Sequence, residues 1–172
     1  LVLHEDRLLP ADPGVRAIAR RIYGGVRGLP IISPHGHTDP AWFATDAPFA
    51  DATSMLLVPD HYLYRMPYSV VAGPRDAWRT FASHYHLFRG TPSANWLEHV
   101  FVEVFGLQHR LSRETADATF DHVGACLARP QFRPRALFER FNIEVLTTTE
   151  SPLDRLEHHQ ALRDSGWGGR VL

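Results

Sequence analysis

A change of period near residue 143 constrains this fold more than any other feature. From Pro74 to Phe141 apolar residues recur at helical spacing. Then comes Ile143-Glu144-Val145-Leu146-Thr147-Thr148-Thr149, a β-branched run that reads as a strand. Ser151-Pro152-Leu153-Asp154 follows as a helix-start signal, with Ser as cap and Pro at the first position. Leu153, Leu156 and Leu162 line one side of that predicted helix, Gly166 closes it, and Gly169-Arg170-Val171-Leu172 opens another strand. Strand, helix, strand in this order is a crossover unit, and a crossover unit implies a parallel sheet.

The front half supplies one more strand. Asp12-Pro13 opens a helix carrying Val15, Ile18, Ala19 and Ile22, and Gly24-Gly25 and Gly28 end it. Leu29-Pro30-Ile31-Ile32-Ser33 reads as a short buried strand running into Pro34-His35-Gly36-His37-Thr38-Asp39-Pro40. Residues 41–68, rich in Pro, Asp and aromatics, read as a long structured loop, a type of segment that is usually functional. The helical stretch then divides into Pro74 to Phe88, Pro92 to Phe105, a helix capped by Ser112 and stopped by Pro130, and Pro134 to Phe141. The organisation is therefore 1–40 (helix, first strand, His motif), 41–141 (loop and helical insertion) and 142–172 (second strand, helix, start of a third). The fold class is α/β, mostly helical within this stretch. A parallel sheet of so few strands is left with an open edge. With no initiating Met and a last strand barely begun, the chain reads as the N-terminal portion of a longer protein.

Composition removes several function classes. Eighteen basic and nineteen acidic side chains give a net charge of -1, with no electrostatic footprint for nucleic acid or an anionic membrane. No apolar run approaches the roughly 20 residues that cross a bilayer. The charged start, His4-Glu5-Asp6-Arg7, does not resemble the apolar core of a signal peptide. Cys126 is the single cysteine, so neither an internal disulfide nor a cysteine-based zinc site can form, and a reducing, cytoplasmic location is expected. Cys126 itself has no basic partner in the local sequence and reads as packing.

Eleven histidines leave position to decide chemistry. Two His-x-His motifs occur, and geometry separates them. At a strand end, i and i+2 share a face, so His35 and His37 can reach one ion. On a helix, i and i+2 diverge by about 200°, which demotes His84 and His86; adjacent His158 and His159 are demoted likewise. Gly36 between the first pair permits close backbone approach or a strained turn. Two imidazoles are an incomplete site, since a catalytic zinc site has about three protein ligands and an open position. The alternative for the pair is a hydrogen-bonded turn at a strand end. A second cluster, Asp60-His61-Tyr62 with Arg65, concentrates polar chemistry in the long loop; the alternative is loop anchors and a surface charge, with Asp60 capping a helix from His61. Trp78, Phe81, Trp96, Phe101 and Phe105 read as packing. Glu98 and His99 read as surface or structural groups, and Arg129, Arg133, Arg135 and Arg140 as a solvated face or oligomer contact.

These residues resemble a known family, the uronate (glucuronate) isomerases of the amidohydrolase superfamily. The resemblance is carried by Leu29-Pro30-Ile31-Ile32-Ser33-Pro34-His35-Gly36-His37, Trp42-Phe43-Ala44, Val58-Pro59-Asp60-His61-Tyr62-Leu63-Tyr64-Arg65-Met66 and Trp96-Leu97-Glu98-His99-Val100-Phe101. Glu144 to Thr149 with Ser151-Pro152-Leu153-Asp154 adds to it, in order along the whole chain. His-x-His is common across the superfamily; Asp-His-Tyr-x-x-Arg at this distance behind it is far more specific. The resemblance implies a distorted (β/α)8 TIM barrel with a helical insertion after its first strand, and a site at the C-terminal strand ends. It implies interconversion of D-glucuronate with D-fructuronate and of D-galacturonate with D-tagaturonate. His35 and His37 would bind a divalent metal, zinc foremost. His61 and Tyr62 would be catalytic groups near the reacting carbons, and Arg65 would hold a polar substrate group. The partner implied is a hexuronate, with a homo-oligomer expected. The remaining ligands and the base, including a late-strand Asp, would lie on strands absent from this chain, so this stretch alone is expected to be inactive. Two other readings stand: another metal-dependent hydrolase of the superfamily, and a non-catalytic helical module descended from such an enzyme.

Overall fold

The computed structural model describes residues 1–60 and 73–172. Helix α1 (Pro13–Val26) begins where Asp12 accepts a hydrogen bond from the Val15 amide and Pro13 supplies the first helical φ. It runs through Gly24 and Gly25 instead of stopping there. β1 (Ile31–Ser33) leads to α2 (Pro40–Thr45), capped by Asp39, and α3 (Ala52–Leu56), capped by Asp51. The expected loop from residue 41 is therefore largely helical up to Leu56, because two Asp caps each start a short turn of helix. Its remainder from His61 lies outside the described residues.

The insertion comprises α4 (Pro74–His84), α5 (Pro92–His99), α6 (Ala116–Leu127) and α7 (Pro134–Arg140). α4 tightens into a 3-10 turn over Tyr85–Phe88, and α5 continues as a π turn over Val100–Val104. Gly90 and Gly106, at φ 76° and 71°, end these two extensions. The third helix begins three residues later than expected, at Ala116 behind Thr115. Ser112 does not cap it: its hydroxyl bonds to Glu114, and its amide donates to the Thr115 hydroxyl. These short polar side chains satisfy the local backbone in a turn and so delay the helix.

β2 (Ile143–Leu146) pairs parallel with β1, placing Ile31 opposite Ile143, Ile32 opposite Val145 and Ser33 opposite Leu146. Leu146 bridges Val171 on the other side, also parallel. The strand order is thus β1, β2, 170–172, as the crossover pattern requires. The crossing helix, α8 (Glu157–Asp164), starts six residues after Ser151. Asp154 accepts from the Leu156 amide at 2.7 Å and Leu156 turns left-handed at φ 54°, which resets the chain before the helix can start. Leu153 and Leu156 are consequently exposed, and Leu162 alone of the three predicted leucines is buried.

Two apolar clusters divide the interior. The larger joins α3 to α7 through Trp78, Phe81, Leu97, Phe101, Phe105, Val123 and Leu127. The Trp78 indole N–H donates to the Ala116 carbonyl, so its only polar atom is satisfied within the core. Trp96, on the other side of α5, is exposed. The smaller cluster, Phe43, Phe138, Leu146, Leu162 and Val171, lies behind the strands. Two of the arginines expected on a solvated face are structural. Arg135 donates to the Phe43 carbonyl at 2.8 Å and stacks 4.8 Å over Trp167, while Arg140 donates to the Glu103 and Val104 carbonyls at the end of the π turn. A guanidinium stem packs while its fork satisfies backbone, a dual role invisible in spacing.

The first strand is not buried. Ile31 is 49% and Ile32 62% exposed, and the apolar face of α1 (Val15, Ile18, Ile22) is exposed as well. β1 is an edge strand, paired on one side only, and nothing among the described residues covers it.

Candidate metal and substrate site

The site begins with the way β1 ends. Ser33 donates its hydroxyl to the His35 carbonyl at 3.0 Å, turning the chain just past the last paired residue. His35 and His37 then project from one side of the turn. Their Nε2 atoms lie 3.2 Å apart, with the rings edge-on at 87°. A tetrahedral zinc with bonds of about 2.05 Å sets two ligand nitrogens about 3.3 Å apart. The donor set and its spacing therefore fit two positions of such a site. Among the described residues no group of three His, Cys, Asp or Glu converges on one point, so the coordination sphere is incomplete within them.

β2 frames the pair from the side. Thr147 donates its amide to the Ser33 carbonyl, prolonging the ladder, and the Thr149 hydroxyl donates to the Gly36 carbonyl at 2.9 Å. A methyl on Gly36 would meet the Thr147 carbonyl oxygen at 3.0 Å. Of the two reasons weighed for a glycine here, close backbone approach is the one found. The turn and the end of β2 border a cleft of about 300 Å³ lined by His37, Asp39, Thr149, Glu150, Asp154 and His159.

His159, set aside on helical geometry, belongs to this end of the sheet. Its Nε2 is 2.9 Å from the Thr148 hydroxyl and 3.7 Å from Glu150 Oε1. Glu150 Oε1 and His159 Nδ1 are buried and take no hydrogen bond among the described residues. Thr149, Glu150 and His159 are the site residues sequence reasoning missed. For Thr149 and Glu150 the one available signal was their position just past a strand parallel to the one that leads into the His motif; His159, on α8, carried none. His84, by contrast, bonds back to its own helix at the Thr80 carbonyl, and His86 is exposed on the following 3-10 turn. Cys126 is buried with His122 Nε2 at 3.8 Å, but that nitrogen is 2.7 Å from the Phe105 carbonyl, so the thiol is packing. His61, Tyr62 and Arg65 lie outside the described residues.

A larger cleft, about 670 Å³, lies in the helical layer and is lined by Tyr85, Arg89, Glu98, Arg110 and Arg113 among others. Burial pushes the Tyr85 phenol well above its ordinary pKa, with Glu98 adding to the effect, so it stays protonated. Arginines and carboxylates are mixed there, and no strand end reaches it.

A model of the glucuronate isomerase family matches residues 5–168. The chain belongs to the glucuronate isomerase family. Uronate isomerases from Xanthomonas campestris pv. campestris and Rhizorhabdus wittichii are each 63% identical to it across its full length. The solved structure of glucuronate isomerase from Caulobacter crescentus superposes with a TM-score of 0.92 at 57% identity over 99% of the chain. Uronate isomerase from Thermotoga maritima does so at 0.84 and 26% identity over all of it. The chain spans about two fifths of the length of these relatives: 40% and 39% of the two curated proteins and 39% of each structure. Over this stretch the chain thus has the same fold as these two solved structures. No helix among the described residues is long and apolar enough to cross a membrane.

Proposed function

We propose that this chain is the N-terminal portion of a metal-dependent uronate isomerase, an aldose-ketose isomerase that interconverts D-glucuronate with D-fructuronate and D-galacturonate with D-tagaturonate. The observation that carries the reading is the pair of Nε2 atoms 3.2 Å apart at the end of β1, in a chain matched to the family over residues 5–168. In the intact protein the strands form a distorted (β/α)8 barrel, with further strands and helices covering β1 and α1. The exposed Ile31, Ile32, Val15, Ile18 and Ile22 support that expectation, because apolar surface so extensive is normally covered. The reading extends to a cytoplasmic homo-oligomer.

The reaction moves a hydrogen from C2 to C1 and the carbonyl from C1 to C2. A base takes the C2 proton, an enediol forms, and a proton returns to C1. His35 and His37 would hold the divalent metal, zinc foremost, which when bound polarises the substrate oxygens as a Lewis acid. Tyr62 and His61 donate hydrogen bonds to oxygens that gain negative charge, and they exchange protons with those oxygens. Arg65 offers its planar fork to the uronate carboxylate. The cleft beside His37 leaves room for substrate above the strand ends, where sites of such barrels lie.

The test uses the intact protein. His35→Ala with His37→Ala should lower both bound zinc and glucuronate turnover; unchanged zinc content overturns the ligand assignment. Tyr62→Phe should reduce turnover by orders of magnitude with little change in folding, and equal turnover removes Tyr62 from the mechanism. The 172-residue stretch by itself should isomerise nothing.

A further inference from the structure

We propose that Thr149 is a positioning residue for the His35–His37 pair, acting through the carbonyl of the glycine between them. The inference rests on the metal reading of that pair. The Thr149 hydroxyl donates to the Gly36 carbonyl at 2.9 Å, the peptide that joins the two imidazole-bearing residues. That bond, with the Ser33 hydroxyl on the His35 carbonyl, holds two successive carbonyls of the turn. Rotating either peptide would swing one ring away from the other. A partner of this kind fixes ligand direction without touching the ligand atom.

Thr149 is in turn held by what surrounds Thr148. The Thr148 amide donates to the Leu172 carbonyl at 2.7 Å, and its hydroxyl bonds the same carbonyl at 3.1 Å. The same hydroxyl lies 2.9 Å from His159 Nε2, and Glu150 Oε1 is 3.7 Å from that nitrogen. Helix α8, the 170–172 segment and β2 are thus knotted at the residue before Thr149. The strand end cannot drift, so the hydroxyl is presented to Gly36 from a rigid base. The pair is aimed by the second strand as well as the first.

Zinc affinity of the intact protein, read by competition with a chromophoric chelator, tests this. Thr149→Val keeps the shape and removes the donor; Thr149→Ser keeps the donor. Thr149→Val should weaken zinc by about ten- to hundred-fold, the usual effect of losing such a partner, with Thr149→Ser near the parent and the melting temperature of both unchanged. Unaltered affinity in Thr149→Val overturns the proposal while leaving the metal reading intact. If instead the His35→Ala, His37→Ala double variant binds zinc as tightly as the parent, the metal reading fails. The positioning role is then decided by the ring 15N shifts of His35 and His37 in metal-free protein. Thr149→Val should move those shifts and Thr149→Ser should not; unmoved shifts in Thr149→Val overturn it.

Discussion

Replacing Gly36 by Ala is the sharpest perturbation the site offers. The added methyl would sit 3.0 Å from the Thr147 carbonyl oxygen, where ordinary contact begins near 3.4 Å, so about 0.4 Å must be found somewhere. β2 will not supply it. Its end is bonded to Ser33 on one side, while Leu146 and Thr148 bond Arg170 and Leu172 on the other, at 2.7 to 2.9 Å. The turn carrying His35 and His37 has fewer restraints and is the part that moves. A shift of about 0.4 Å is roughly twice the 0.2 Å tolerance of a metal-ligand distance. Overpacking of this kind costs about 1–3 kcal/mol, and 1.4 kcal/mol is tenfold in a binding constant. Gly36→Ala should therefore lose about 1–3 kcal/mol in urea unfolding and bind zinc about five- to hundredfold more weakly. Gly24→Ala is the control, because nothing lies within 4 Å of its added methyl in α1. There the substitution should stabilise by about 0.5–1 kcal/mol, since helical Ala loses less backbone entropy than Gly. If Gly36→Ala unfolds and binds zinc like the parent, the close approach does not shape the site and the reasoning is wrong.

Other outcomes follow from the packing and the surface charges. Phe138, 1% exposed and in edge-on contact with Phe43 and Trp167, should cost about 3–5 kcal/mol on truncation to Ala; a loss under 1 kcal/mol in urea unfolding would mean the smaller cluster is not a cohesive core. Asp117, bonded by Arg79 and Arg75, is held below its ordinary pKa of 3.8. A depressed carboxylate stabilises the fold fully above its unfolded pKa and loses that contribution as pH falls through the folded one. Asp117→Asn should therefore flatten the acid limb of a stability-pH curve below about pH 4, and the difference should shrink in 1 M salt because all three groups are about half exposed. An unchanged acid limb in the variant would deny the pair any role.

The site was legible from sequence to different depths along the chain. His35 and His37 stood out because a strand end has a two-residue period, and their Nε2 atoms lie side by side in the structure. Helix α1 and its Asp12 cap, the helices from Pro74 and Pro134, and the parallel order of the strands were equally readable, since caps, prolines and periodicity are local signals. Ser112 and Ser151 misled because a short hydroxyl side chain can bond a turn as readily as it caps a helix. His159 was passed over because its partners, Thr148 and Glu150, sit nine and more residues back in the chain.

What the sequence alone determined is everything decided within a few residues: where helices start, which residue types meet at a strand's end, and the family to which the chain is similar. What only the tertiary structure decided is which groups face one another across strands. Parallel register brings Thr149 onto Gly36 over a separation of 113 residues, and the packing of α7 on α2 brings Arg135 onto the Phe43 carbonyl over 92. Contacts that distant leave no periodic trace, because their geometry comes from the ladder between strands and the packing behind it, and from no property of either residue by itself.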